Sequence, residues 1–441
     1  ALTTGAENIA IGYAALSTED TRGRNIAIGT LALSSQNSGA DAYNIAIGHT
    51  AGTAMSSGVR NVIMGGLAGD ALTTGSYNVA IGYDALSSEQ THGYNTAVGY
   101  NALRLQNAGA DAYNVALGYN AGENISTGAG NTLIGSQAGD ALTTGGFNTV
   151  VGKSALSTED ANGYCTAVGY QALMTQDAGA DALNTAVGFD AGGDITTGTN
   201  NTLMGHEAGK TLTTGNHNIA IGNYALATED AHGRNVAIGR NALYTLDAGA
   251  DAYNVAIGFY AGDQVSTGVN NVLIGGEAGD AITTGGDNIA IGRQALSAKT
   301  IGSGDVAIGH QALQDADGGD AFNVAVGYRA GRNITSGIRN ILIGASAGDT
   351  LTAGLDNIAI GYQALATEDD HSYNTAVGHQ ALKAQDAGAD AYNVAMGYRA
   401  GYAVTSGVNN ITIGAEAGIA LTTGSYNVAV GHGALATEDT G

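Results

Sequence analysis

The chain of 441 residues has no proline, no tryptophan, one cysteine, four phenylalanines and only 15 basic side chains. A single cysteine excludes a disulfide framework. Fifteen Lys and Arg against 39 acids leave a net charge of -24, and without a basic face a nucleic-acid partner is excluded. No apolar run approaches the ~20 residues of a membrane helix, and the first residues carry neither a basic start nor a signal-like core. Membrane insertion through a helix is therefore excluded. Charged residues are scarce at 12% while hydrophobic ones reach 44%, too apolar a mixture for a disordered tail. The 71 glycines follow no collagen period.

What is present is one pattern, repeated. A pentad of Asn, a β-branched residue, usually Ala, an aliphatic and Gly begins at Asn8 and returns at Asn25, Asn44, Asn61 and Asn78, ending at Asn427, for 25 copies. Intervals of 17, 19, 17 and 17 residues build superunits of 70 that start at residues 8, 78, 148, 218, 288, 357 and 427. The fifth superunit is one residue shorter. Length alone suggests about three domains, but no linker or change of composition interrupts the series. The expectation is one continuous repeat domain over residues 1–441.

Counting the Asn as slot one, slot two is always Ile, Val or Thr and slot four always Ile, Val, Leu or Met, the alternation of a short strand. Glycine at this density and an apolar spacing of two disfavour helix. The pattern predicts an all-β fold, a parallel β-solenoid of 25 coils of 17–19 residues, with slots two and four facing the interior. Gly in slot five and Ala in slot eight are invariant, as in Gly12 with Ala15, and suit corners and tight inner bends. A second short strand is expected after the corner, as at Asp70–Gly75. The Asn of slot one is expected to form a hydrogen-bonded ladder along the stack. Cys165 and Asp305 replace it twice, and the thiol reads as a small buried substitute rather than a nucleophile.

Slot three carries Ala in 18 copies, an aliphatic in six and Thr412 once, never a charge. If slots two and four face inward, slot three faces outward, and a sheet apolar on both faces is covered on both. Another copy of the chain is the expected cover. The oligomer interface is thus expected at Ala10, Ala27, Ala46, Ile63, Ala80, Leu133, Ala220, Leu273 and Leu342, with a homotrimer as the preferred closure and a two-fold pairing as the alternative.

The pentad, with its NTAVG and GYQAL wording at Asn184–Gly188 and Gly169–Leu173, resembles the head repeats of trimeric autotransporter adhesins. It resembles the repeats of phage tail fibres and related bacterial surface fibres more closely still. The resemblance covers the whole chain. It implies a left-handed parallel β-roll, three chains side by side, and an extracellular place on a cell surface or virion. The unit of 17–19 residues is longer than the short adhesin-head repeat, and no membrane anchor, heptad stalk or chaperone-like domain is recognisable. Twenty-five coils at ~4.8 Å would make a rod on the order of 120 Å. A chain that starts and stops within a unit is expected to be a segment of a longer array or to stack end to end.

No catalytic constellation is found, so no enzyme is expected. Residues 146–154 imitate a phosphate-binding loop, but the glycines are one residue too far apart and Lys153 stands in a variable slot. His49, His206, His310, His379 and His432 share slot six with Tyr13, Tyr83, Tyr100 and Phe189, which reads as a corner or surface column rather than metal ligands. Such an aromatic edge could bind glycans. Oxygen ligands on adjacent coils, Glu19, Asp20 and Asp41 or Glu159, Asp160 and Asp181, are candidates for calcium, against a solvated acidic rim that keeps the chain soluble. The function expected is a structural, adhesive fibre for attachment to a host cell surface or its glycans. The alternatives are a glycan- or calcium-binding solenoid and a passive spacer for a separate tip.

Overall fold

The computed structural model describes residues 6–19 and 23–437 and divides into two compact units, Ala1–Asn218 and Ile219–Gly441. Each unit is an all-β parallel solenoid. The first contains β1 (Ile9–Ile11) to β12 (Thr202–Met204) and the second β13 (Ile219–Ile221) to β25 (Val428–Val430), with no helix among the described residues. Every strand is three residues long and falls on slots two to four. Within each unit successive strands pair in parallel and in register, so that Val255, Ala256 and Ile257 lie beside Val272, Leu273 and Ile274. The rungs are backbone bonds such as Ile26 N to Asn44 O and Gly48 N to Ile28 O, both 2.8 Å.

The strand faces are the reverse of the expectation. Slot three points inward: Ala27, Ala46, Ile63, Ala80, Leu133, Ala220, Leu273 and Leu342 are completely buried within the chain, and Ala10, in the first strand, is exposed. None of the buried eight can touch a second chain. The cause is the thinness of the coil. Ala in slot eight (Ala32, Ala51, Ala68) is completely buried too, so facing walls approach closely and a Val or Ile pair per coil would not fit between them.

In most coils one long side chain from the turn segment fills what space remains. In the first two coils of a superunit it is the slot-nine Leu, such as Leu33 or Leu86; in the last two it is an aliphatic at slot twelve, such as Met55 or Leu72, with Gly in slot nine. The two solutions alternate in most coils, and the coil of Asn235 holds both, Leu243 and Leu246 being completely buried. A Cβ added to Gly52 would stand 3.0 Å from Leu33 Cδ2 and 3.2 Å from Ile63 Cδ1, because that volume is taken. The bulky slot-three residue of the fourth coil, Ile63 here, uses room that a slot-nine Leu occupies elsewhere.

No second strand follows the corner; the segment is a series of turns. Slots seven and nine are left-handed even without glycine, as at Asp84 (φ 59) and Leu86 (φ 52). Each such residue costs about 1–2 kcal/mol of backbone strain, and the stack offsets it by pairing Asp84 N with Gly66 O at 3.1 Å and Leu86 N with Ala102 O at 3.0 Å. Slot five needs glycine for another reason. At Gly48 (φ 146) an added Cβ would lie 2.2 Å from the carbonyl oxygen of Gly65 in the next coil.

The Asn ladder exists, in a form joined chiefly to the backbone. Asn44 Oδ1 accepts the amide of Asn61 at 2.8 Å while Asn44 Nδ2 donates to Gly58 O at 2.7 Å. Direct amide-to-amide bonds such as Asn61 Nδ2 to Asn44 Oδ1, 3.2 Å, are fewer. Asp305 keeps the acceptor role, its Oδ1 taking Asn323 N at 2.8 Å. Cys165 keeps the backbone donor, its amide bonding Asn148 Oδ1 at 2.9 Å, and its sulfur stands as the weaker acceptor toward the Asn184 amide. Burial pushes its thiol up to about 12, which leaves it protonated and unreactive near neutrality.

Candidate functional site

Because slot three is inside, slots two and four are outside, and two aliphatic or β-branched side chains per coil stand on the outward strand face. Their exposure is 38% at Met64, 48% at Leu117, 38% at Ile343 and 45% at Met396. Strand residues are rarely this apolar on a solvated face.

Two aromatic columns border that face. The slot-six column stacks Tyr83, Tyr100 and Tyr119 with centroids 5.5 Å apart, and joins Phe189 to His206 at 5.0 Å and His310 to Tyr328 at 5.5 Å. His49, His379 and His432 are exposed members of the same column. This agrees with the surface column read from the sequence. The other column occupies the position before slot one and escaped that reading. It stacks Tyr77 on Tyr94 and Tyr94 on Tyr113, 5.0 and 5.1 Å apart, and ties Arg60 Nη1 to Tyr77 Oη at 2.6 Å. A recurrent Tyr, Phe or Arg ahead of the Asn was the available signal.

Beside Phe147 and Tyr164, in the first unit, the second column overlooks a groove of about 330 Å³ with Thr127, Thr144 and Asp181 on its sides. Ala129, Gly146 and Gly163 also line it. Lys153, within the sequence that imitates a phosphate loop, lies in the turn after β9 (Thr149–Val151), and no helix N-terminus follows it.

The acids are arranged differently from the expected rim. Glu19, Glu89, Glu159, Glu229 and Glu368 occupy slot twelve, the position of Leu72 in other coils, and are completely buried. Glu89, Glu159, Glu229 and Glu368 each accept a backbone amide of the loop that follows. Glu89 Oε1 accepts the amides of Gln90, Thr91 and His92 at 3.0–3.2 Å, and its Oε2 accepts Ala108 N of the next coil at 3.3 Å. Of the calcium candidates, Glu159 and Asp160 come together, but with Asp177 rather than Asp181. Asp181 Oδ1 instead accepts Gly163 N at 3.1 Å, and Asp41 pairs with Arg24 at 3.3 Å. Asp20 lies outside the described residues.

A fourth residue joins at one site only among the described residues: ligand atoms of Glu368, Asp369, His371 and Asp386 lie within 4.8 Å of one another. At the equivalent position of the fifth superunit the acid is replaced by Lys299. Its ammonium is completely buried and bonds Asp305 Oδ2 at 2.9 Å and the carbonyls of Gly318 and Gly319 at 3.0 and 3.3 Å.

Burial raises the carboxyl pKa of Glu159, Glu229 and Glu368, and pushes Asp280 up to about 6 with help from Glu277 and Asp263. For His371 burial acts downward, but Glu368, Asp369 and Asp386 outweigh it and hold the ring above its usual value. Asp280 holds more protons folded than unfolded between its ordinary value of 3.8 and about 6, and the raised Glu carboxyls act in the same direction above their ordinary value, so stability falls as pH rises through that window. The imidazole adds to the same trend, since its contribution is present below the unfolded value of 6.5 and is lost above the folded one. The thermal midpoint is therefore expected to be higher at pH 5 than at pH 7, and Asp280→Asn to flatten the dependence. A midpoint that rises with pH over this range contradicts the assignment.

The chain matches no protein-family model, and no curated protein is detectably similar to it.

Proposed function

We propose that the chain is a structural segment of an extracellular attachment fibre, assembled from copies of itself through the outward strand face. The observation that carries the reading is the pair of partly to fully exposed aliphatic or β-branched side chains that the strand of each coil presents. With about two dozen such side chains, each unit offers on the order of 1,000 Å² of apolar area, above the few hundred usual for a monomer surface and comparable with one side of a stable interface. A second copy has the matching spacing along the stack, because it has the same coils. Three copies around an axis is the closure that the resemblance to trimeric fibres favours. In this reading the chain performs no chemistry. Repetition supplies reach and multivalency, and weak contacts at each superunit add when several engage together.

Glycan binding is a second reading, favoured by the groove beside Phe147 and Tyr164. It would make the fibre adhesive along its length rather than only at an end.

Light scattering after size exclusion tests the assembly. The native chain is expected to run as a trimer, and the double variant Ile257→Glu, Ile274→Glu to dissociate while its circular dichroism stays unchanged. A monomeric native chain, or an undisturbed oligomer in the variant, would falsify assembly through this face.

A further inference from the structure

The repeat makes a comparison possible within one chain, because the same loop recurs with different residues. In most superunits slot twelve is a buried Glu whose carboxylate is held by backbone amides, as at Glu89. The set of Glu, Asp, His and, on the next coil, Asp stands at 229, 230, 232 and 247 and again at 368, 369, 371 and 386, and among the described residues the ligand atoms of all four come within 4.8 Å of one another only at the second. The Glu368 carboxylate is 0% exposed, and its Oε1 meets His371 Nδ1 at 2.7 Å. Its Oε2 is shut off from solvent and has no hydrogen-bond partner. A buried acceptor left without a donor costs about 1–3 kcal/mol, more when it is charged. Asp369 and, from the next coil, Asp386 bring two further carboxylates to the same place.

A second observation comes from Lys299, which stands in the slot of Glu368. There the chain places a positive charge of its own, and the ammonium reaches across to the following coil, to Gly318 O and Gly319 O beside Asp317. Asp317 is the counterpart of Asp386. This part of the coil therefore accommodates a buried cation lying between two successive loops. At Glu368 the chain supplies no such cation, and three carboxylates face one imidazole.

We propose that Glu368, Asp369, His371 and Asp386 bind a divalent transition-metal ion, of which zinc is the representative, and that the ion clips the loop of residues 368–371 to the next coil. The donor set selects the metal. One imidazole nitrogen with carboxylate oxygens, four side chains in all, suits zinc and its neighbours, whereas calcium takes six to eight oxygens and no nitrogen. The related group of Glu229, Asp230 and His232 has three side chains and binds more weakly.

The test uses the full chain without a tag, stripped with chelator and then titrated with Zn²⁺ by calorimetry and with Co²⁺ by visible absorption. One ion per chain is expected to bind more tightly than any other, with cobalt bands of a nitrogen-containing site. His371→Ala and Asp386→Asn, both at partly or fully exposed positions, are each expected to weaken that ion at least ~10-fold with circular dichroism unchanged, and His232→Ala to leave it in place. The proposal is overturned if the stripped chain takes up no Zn²⁺, if both variants bind as the parent does, or if Ca²⁺ displaces Zn²⁺ at equal concentration. Oligomeric mass recorded on the same samples keeps this outcome separate from that of assembly.

Discussion

Glutamate in place of Ala256 is expected to unfold the coils around β15 (Val255–Ile257), whereas glutamate one residue later, at Ile257, is expected to leave them folded. Ala256 is completely buried between Ala237 and Leu273, its partners in the neighbouring strands. A longer side chain has no volume to enter there, and a carboxylate would be buried without a partner. Overpacking costs about 1–3 kcal/mol and an uncompensated buried charge about 3–5 kcal/mol. Neighbouring coils stabilise one another through their interfaces, so the damage should spread outward from the site. Ile257, on the other face, is 36% exposed, and its replacement should cost no more than about 1 kcal/mol in the separated chain. Urea denaturation together with hydrogen exchange reads both. A folded Ala256→Glu protein, or equal damage from Ile257→Glu, would mean that the faces are assigned the wrong way round.

The second large effect concerns Lys299 and Asp305. Their fully buried ion pair replaces the Glu and Asn found at 368 and 374, where Asn374 is also fully buried. Both partners have changed together within one chain. Making either change alone, Lys299→Glu or Asp305→Asn, is expected to cost at least about 3–5 kcal/mol, since it leaves uncompensated charge in the interior. Changing both to the usual pair, Lys299→Glu with Asp305→Asn, restores a solution that other coils already use. It is expected to return stability to within about 1 kcal/mol of the parent. Denaturation midpoints of the parent, the singles and the double variant form a thermodynamic cycle. If the double variant is as unstable as the sum of the singles, the two residues do not act as a unit.

Much of this architecture was legible in the residues alone. The return of Asn, the invariant Gly and the alternation of slots two to four located every strand, and the polar ladder followed from one amide side chain stacked above another. Slot-six Tyr and His were recognisable as a surface column because their identity varies while their position does not. What the residues could not decide was which side of the strand is inside. Alternation places slots two and four on one face and slot three on the other. The assignment of larger residues to the core presumes a core wide enough to hold them.

The tertiary structure decided that matter through the width of the coil. Ala in slots three and eight brings the walls so close that one Leu, Ile or Met fills the space, and Ile and Val are left outside. The same narrowness explains the buried Glu. Slot twelve faces inward in the coils where it is described, and where Leu86 has already filled the interior from slot nine, slot twelve can take a polar side chain that bonds to loop amides. Glu19 and Glu159 therefore read as solvated acids in sequence and are interior groups in the fold. Sequence by itself determined the period, the strands and the ladder, because each rests on contacts between equivalent residues of neighbouring coils. The inner face, the buried carboxylates and the cluster at His371 depend on distances across the coil, which only the folded chain sets.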